Sequence, residues 1–138
     1  MFEVVSELRV RYVETDQMGI VHHSVYFHWM EVGRTDYLRQ KGLPYSKMEE
    51  SGIRMPLIES WAKYIVSAKY DDEIIVKTRL EESSPIKFSF AYEILRKSDG
   101  KLLAEGKTKH IATDCHNKPK RVPKEILSII GGSIDKSI

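Results

Sequence analysis

The sequence is poor in several features that usually announce a function. Its 138 residues contain one cysteine, Cys115, so no disulfide can form within the chain and a reducing cytoplasm is the natural setting. No stretch approaches the roughly 18 consecutive apolar residues of a membrane span. The opening MFEVVSELRV has an early acid and no long apolar region, and is not expected to act as a secretory signal. A dominant charge is missing too, since 22 basic and 20 acidic residues give a formal +2. That balance argues against a dedicated nucleic-acid binder, whose phosphate contacts demand a basic excess. The chain also lacks a G-x-S-x-G elbow and a Gly-rich phosphate loop. With no repeat, low-complexity tract or linker, residues 1–138 are expected to form one domain, frayed after about residue 130.

What is present is a clear sequence of periodicities. Leu8, Val10 and Tyr12 alternate with Arg9 and Arg11, which predicts a half-buried strand over 6–12. Residues 24–41 read as a helix with Ser24 as N-cap and Gly42 as the stop, roughly 27 Å long. Its first half is so apolar (Val25, Tyr26, Phe27, Trp29, Met30, Val32) that burial on nearly every side is expected. A short helical patch follows at 46–50. Strands are then predicted over 55–68, kinked near 61–63, over 73–80, and through the alternating Ile86 to Ile94. In the last strand Ala104, Gly106, Thr108, His110 and Ala112 share one face, suited to lying close against a thick helix. One short helical turn is expected at 124–130. Strands joined by short turns must run antiparallel. One sheet with a helix that needs covering predicts an α+β layer, a curved antiparallel sheet wrapped around one long central helix.

The stretch YVETDQMGIVHH, residues 12–23, falls between the first strand and that helix. Asp16 lies on the loop and His23 at the helix start, seven residues later. A helix N-terminus offers unpaired N–H groups and partial positive charge, and so suits an anion or an oxyanion. A nearby carboxylate supplies the complementary base or nucleophile. Thioesters suit this pair better than amides. A thiol with a pKa of roughly 8.5 leaves without a strong general acid.

The stretch RVRYVETDQMGIVHHSVYFHWMEVGR resembles the N-terminal signature of 4-hydroxybenzoyl-CoA thioesterase-like proteins, the hotdog-fold acyl-CoA thioesterases, in their bacterial branch. The resemblance implies the hotdog fold and hydrolysis of an acyl-CoA thioester to free acid and CoA, with an acyl-carrier-protein thioester as an alternative substrate. It implies that Asp16 is the catalytic carboxylate, as general base or nucleophile. The N–H of His23 would polarise the carbonyl while its side chain positions substrate or water. Tyr12 matches an active-site tyrosine; Val21, His22 and Tyr26 are candidate substrate-binding residues, although His22 could equally face outward. No metal or organic cofactor is implied. A homodimer or homotetramer with interfacial sites is. No motif selects a CoA-phosphate contact among Arg54, Lys87, Arg96, Lys107 and Lys109.

Other readings compete with these. Thr-Asp-x-x-Gly also suits a plain turn, His23 a capping or packing role, and Tyr12 a core tyrosine. Glu31 and Arg34, three apart on the helix, can meet as a pair, expected in a structural or dimer contact, with substrate positioning as the alternative. A metal site among Asp16, His22, His23, His28 and Glu31 is disfavoured, because His23 and His28 are five apart rather than four. Cys115 and His116, read as strand neighbours, would point to opposite faces and so could not act as nucleophile and base. A non-catalytic acyl-CoA-binding hotdog module and a hotdog hydratase or dehydratase are the functional alternatives.

Overall fold

The computed structural model describes residues 2–135. Five strands, β1 (Glu3–Arg9), β2 (Leu57–Tyr64), β3 (Glu73–Ser83), β4 (Lys87–Arg96) and β5 (Leu102–Ile111), form one antiparallel sheet. Their order is β1-β3-β4-β5-β2. The long helix α1 (Val25–Gln40) lies against the concave face, with α2 (Tyr45–Glu50) beyond it and α3 (Lys124–Asp135) closing the chain. This curved sheet around a central helix is the hotdog fold, an α+β architecture.

Alternation along the strands sets the inner face. Ile74, Val76, Thr78 and Leu80 of β3, Phe88, Phe90, Tyr92 and Ile94 of β4, and Ala104, Thr108 and His110 of β5 are all buried. The small-residue face expected for the last strand is therefore there, and the contact is close. A Cβ added to Gly106 would sit 2.1 Å from Met30 Cε, and one added to Gly33 would sit 2.1 Å from Thr78 Oγ1. Two glycines, one on each element, let α1 approach the sheet at backbone distance. Ser6 of β1 completes the seam by donating to Asp36 Oδ2 at 2.7 Å.

Several expectations change. Within one chain, α1 is not buried on nearly every side. Val25, Tyr26, Trp29, Met30, Gly33, Tyr37 and Leu38 form a buried stripe at helical spacing. His28, Glu31 and Val32 remain exposed, because a single sheet covers only one face. Strand β1 stops at Arg9 instead of reaching Tyr12. The chain then makes a turn of 3₁₀ helix, Tyr12–Glu14, because the Glu14 carboxylate accepts the Arg11 N–H at 2.8 Å. Strand β2 is shorter than expected, and its irregularity falls between Leu57 and Glu59 next to Pro56, not at Trp61 to Lys63, where the ladder with β5 is continuous. The last helix is longer than the one turn expected, running to Asp135; residues 136–138 lie outside the described residues.

Candidate active site

The loop between β1 and α1 is a small hairpin in its own right. Asp16 N–H donates to the Ile20 carbonyl at 2.9 Å and Gly19 N–H to the Asp16 carbonyl at 3.0 Å. Gly19 takes φ +80, a left-handed conformation that a side chain would oppose. Thr15 and Val21 bridge across the base of this hairpin. Glu14 then ties it to the helix: its carboxylate is buried and accepts from Arg11 Nη2 at 3.3 Å and from Trp29 Nε1 at 3.4 Å. Glu14, to which the sequence reading gave no role, is thus the anchor of the loop.

Two polar groups of residues that line the cavity are left without partners among the described residues. Oδ1 of Asp16 accepts the Met18 N–H at 2.8 Å, whereas Oδ2 has no hydrogen bond among the described residues. Along the backbone, Val21 N–H donates to the Ala68 carbonyl, His22 N–H to the Glu14 carbonyl and Val25 N–H to the His22 carbonyl. The N–H of His23, between them, is not taken up by any described residue. Ser24 occupies the N-cap position but makes no side-chain cap. Instead its hydroxyl meets His22 Nδ1 at 2.8 Å, and that nitrogen also accepts the Ser24 N–H at 3.2 Å.

Asp16, Val21, His23 and Tyr26 line one cavity of about 260 Å³. Its other walls are Met18 and Ile20 from the hairpin and Tyr64, Ile65, Val66 and Ser67 from the segment leaving β2. Tyr26 is buried, and burial pushes its phenol above the ordinary 10.0, so it stays protonated. Its oxygen accepts the Ala68 N–H at 3.3 Å, which leaves its own O–H available as a donor. Tyr64, likewise held above its ordinary value by burial, donates to the His23 carbonyl at 3.0 Å and so braces the helix start.

Two of the sequence candidates stand apart from this cavity. Tyr12 is 76% exposed, not a core or strand-end residue, and its ring meets Tyr70 edge-on at 5.6 Å. It borders an open concavity on the outer side of the loop with Val13, Thr15, Asp16 and Gln17. His22 is exposed and turned to Ser24, its ring 4.1 Å from that of His23. The four residues 64–67 were missed by sequence reading. They lie more than 40 positions away from Asp16 and carry no motif.

Elsewhere, the Glu31–Arg34 pair is absent: Arg34 Nη1 donates to the Tyr92 hydroxyl at 3.3 Å, and Glu31 stays exposed. Arg34, Glu31 and His110 border a second cavity of about 420 Å³, alongside Leu38, Met55 and Leu57. Of the basic residues considered for phosphate, Arg96 pairs with Asp72 and Asp99, and Lys107 with Glu81. Cys115 and His116 sit in an exposed turn, not a strand, held by His116 N–H and Lys118 N–H donating to Asp114 Oδ1. Among the described residues no group of three or more His, Cys, Asp or Glu could hold a metal, and no helix is long and apolar enough to cross a membrane.

The curved sheet around one central helix, with Asp16 and His23 lining one cavity, defines the class of hotdog-fold proteins. The profile of the thioesterase-like superfamily matches residues 10–130, and the chain belongs to that family. It is 31% identical over 121 residues to the acyl-CoA thioesterase YbgC of Haemophilus influenzae, covering 86% of this chain and 88% of that one. The crystal structure of a DHNA-CoA thioesterase from Staphylococcus aureus superposes with a TM-score of 0.90 at 31% identity, covering 100% of this chain and 97% of that one. A 4-hydroxybenzoyl-CoA thioesterase shares the fold at a TM-score of 0.83 and 20% identity, covering 93% and 98%. The protein is a thioester hydrolase.

Proposed function

We propose that the protein hydrolyses an acyl-CoA thioester to the free acid and CoA, with Asp16 and the N-terminus of α1 as the reacting machinery. The observation that carries this reading is the pairing of two unpartnered groups, Asp16 Oδ2 and the His23 N–H, among residues that line one cavity. Asp16 takes a proton from water as the water adds to the acyl carbon, or its oxygen adds to that carbon directly and water then cleaves the mixed anhydride. In either route the carbonyl oxygen gains negative charge, and the His23 N–H with the partial positive charge of the helix terminus stabilises it. The protonated Tyr26 supplies a second donor at the cavity wall. The tetrahedral adduct collapses with loss of the thiolate, which needs little acid assistance because its conjugate thiol is acidic. Val21 forms apolar wall; Tyr12 and His22 stand at the rim, suited to contacting substrate outside the cavity.

The assembly follows from uncovered surface. Strand β2 is an edge, with Leu57 48%, Ile58 54% and Trp61 47% exposed, and the outer face of α1 is open beside it. Edges of this kind pair with another chain. Antiparallel pairing of β2 with its own copy would continue the sheet and set the Leu57 end of the partner strand beside Tyr64, next to the cavity. We therefore read the chain as a single hotdog domain acting as a homodimer, or a tetramer of such dimers, in the cytoplasm.

The test is a free-thiol assay across a panel of acyl-CoAs, with acyl-carrier-protein thioesters in parallel, for wild type and Asp16→Asn. Thiol release by the wild type and its collapse in the variant are expected. Equal turnover by both would sink the assignment of Asp16. An enoyl absorbance change without free thiol would point to hydration chemistry instead.

A further inference from the structure

The cavity wall that carries no motif has an unusual support. Tyr64 ends β2, and residues 65–67 leave it and line the cavity without belonging to any regular element. Their inner end is held when Ile65 N–H and Val66 N–H both donate to the Leu103 carbonyl, at 2.8 and 3.1 Å. At the outer end the peptide joining Ser67 to Ala68 is gripped at both polar atoms. Arg96 Nη2 donates to the Ser67 carbonyl at 2.9 Å, and the Ala68 N–H donates to the Tyr26 hydroxyl at 3.3 Å. A peptide unit is planar and rigid, so two bonds on its opposite edges fix its orientation.

Arg96 is itself fully engaged. Its Nε meets Asp72 Oδ2 at 3.1 Å and its Nη1 meets Asp99 Oδ2 at 2.9 Å, so three edges of one guanidinium join three separate segments. Asp72 in turn accepts the Lys69 N–H at 2.9 Å, which closes the turn after Ala68. The side chain is only 16% exposed and is not part of the cavity lining. A lysine could keep one ion pair but has no planar fork with which to reach all three acceptors.

We propose that Arg96 is a positioning residue for substrate binding: from outside the cavity it orients the 67–68 peptide, and through it the wall at 64–67. This rests on the thioesterase reading of the cavity. Asp16 keeps its own hairpin bonds when Arg96 is changed, so binding should suffer more than the chemical step.

The decisive comparison is Arg96→Lys against Asp99→Asn, each checked for folding by its thermal midpoint. In Arg96→Lys, KM for the best acyl-CoA should rise roughly tenfold with kcat within threefold, and amide exchange over 64–70 should quicken roughly tenfold. Asp99→Asn removes one ion pair but leaves the Ser67 contact, and its KM should stay within twofold of wild type. An unchanged KM in Arg96→Lys, or an equal rise in Asp99→Asn, overturns the proposal. Binding of a non-hydrolysable acyl-CoA thioether separates the two readings. If the wild type releases no thiol yet binds the thioether roughly tenfold tighter than Arg96→Lys, hydrolysis fails and the positioning role stands.

Discussion

Two cavities lie along α1, one at its start and one further on, and both are lined by histidine, tyrosine and charge, yet they differ in kind. Behind the one bordered by Arg34, buried polar groups form a closed chain that ends at the lining residues Arg34 and His110. Arg34 donates to the Tyr92 hydroxyl at 3.3 Å, Tyr92 Oη lies 2.7 Å from Thr108 Oγ1, Thr108 Oγ1 lies 3.0 Å from His110 Nε2, and His110 Nδ1 lies 3.2 Å from the Met55 carbonyl. Only one assignment of protons works. The carbonyl must accept, so Nδ1 carries the proton, Nε2 accepts from Thr108, and Thr108 accepts from Tyr92. Tyr92, Thr108 and His110 each use their hydrogen-bonding atoms along this line, while Arg34 spends one N–H on it and Glu31 at the cavity's border has no hydrogen bond among the described residues. At the other cavity the Asp16 Oδ2 and the His23 N–H have none. Residue type does not distinguish the two sites; what differs is that the buried groups behind one are bonded to one another, whereas Asp16 Oδ2 and the His23 N–H at the other are open. Buried polar groups that complete their bonds hold a core together, whereas groups left open at a cavity are available to a ligand.

The largest contrast should come from Asp16→Asn. Loss of the carboxylate is expected to lower kcat by roughly 10²–10⁴-fold while the thermal midpoint stays within a few degrees. An Asp16→Asn protein that is inactive because it is unfolded would break the contrast, so both measurements belong together.

The closed chain should answer in stability instead. Burial first, and the Arg34 charge second, push His110 from its ordinary 6.5 down to about 4. The native state therefore binds fewer protons than the unfolded one between those values. Its contribution is complete above about pH 6.5 and is lost as pH falls toward 4, by up to about 3 kcal/mol. Urea unfolding at pH 7.5 and pH 4.5 measures this, and His110→Gln should flatten the dependence. A wild type equally stable at both values would mean that His110 is not held neutral.

Thr108→Val keeps the shape of the side chain but leaves Tyr92 and His110 each short of a partner. A loss of about 1–3 kcal/mol is expected, with kcat near that of the wild type. If turnover collapsed while stability held, the two cavities would not be separable in the way described. The smallest effect belongs to Ser24→Ala. An N-cap serine is usually worth about 1 kcal/mol, but this one bonds His22 rather than the helix, so a shift of a few tenths at most should appear in the same urea titration.

Much of this was legible without a structure, for identifiable reasons. Strand alternation in β3, β4 and β5 appeared as a period of two because one face meets α1 and the other does not. The Asp16 to His23 span was legible because loop carboxylate and helix start are neighbours in the chain. Three misreadings share one cause. The helix was expected to be buried all round, Glu31 was paired with Arg34, and Glu14 was passed over. In each case local spacing supplied a partner, and a residue distant in sequence changed the outcome: the sheet covers only one face of α1, Tyr92 takes Arg34, and Trp29 helps to bury Glu14. The wall at 64–67 was invisible for the same reason.

The sequence by itself determined the elements, the sheet's two faces and the chemistry of one loop, because periodicity and turn geometry are properties of neighbouring residues. Only the tertiary structure decided which polar groups are satisfied and which stay open. Hydrogen bonds such as that between Arg96 and the Ser67 carbonyl, 29 residues apart, exist only once β4 has brought the guanidinium to the segment leaving β2. That accounting of partners, rather than the identity of the residues, is what separates the Asp16 cavity from the buried chain behind its counterpart further along α1.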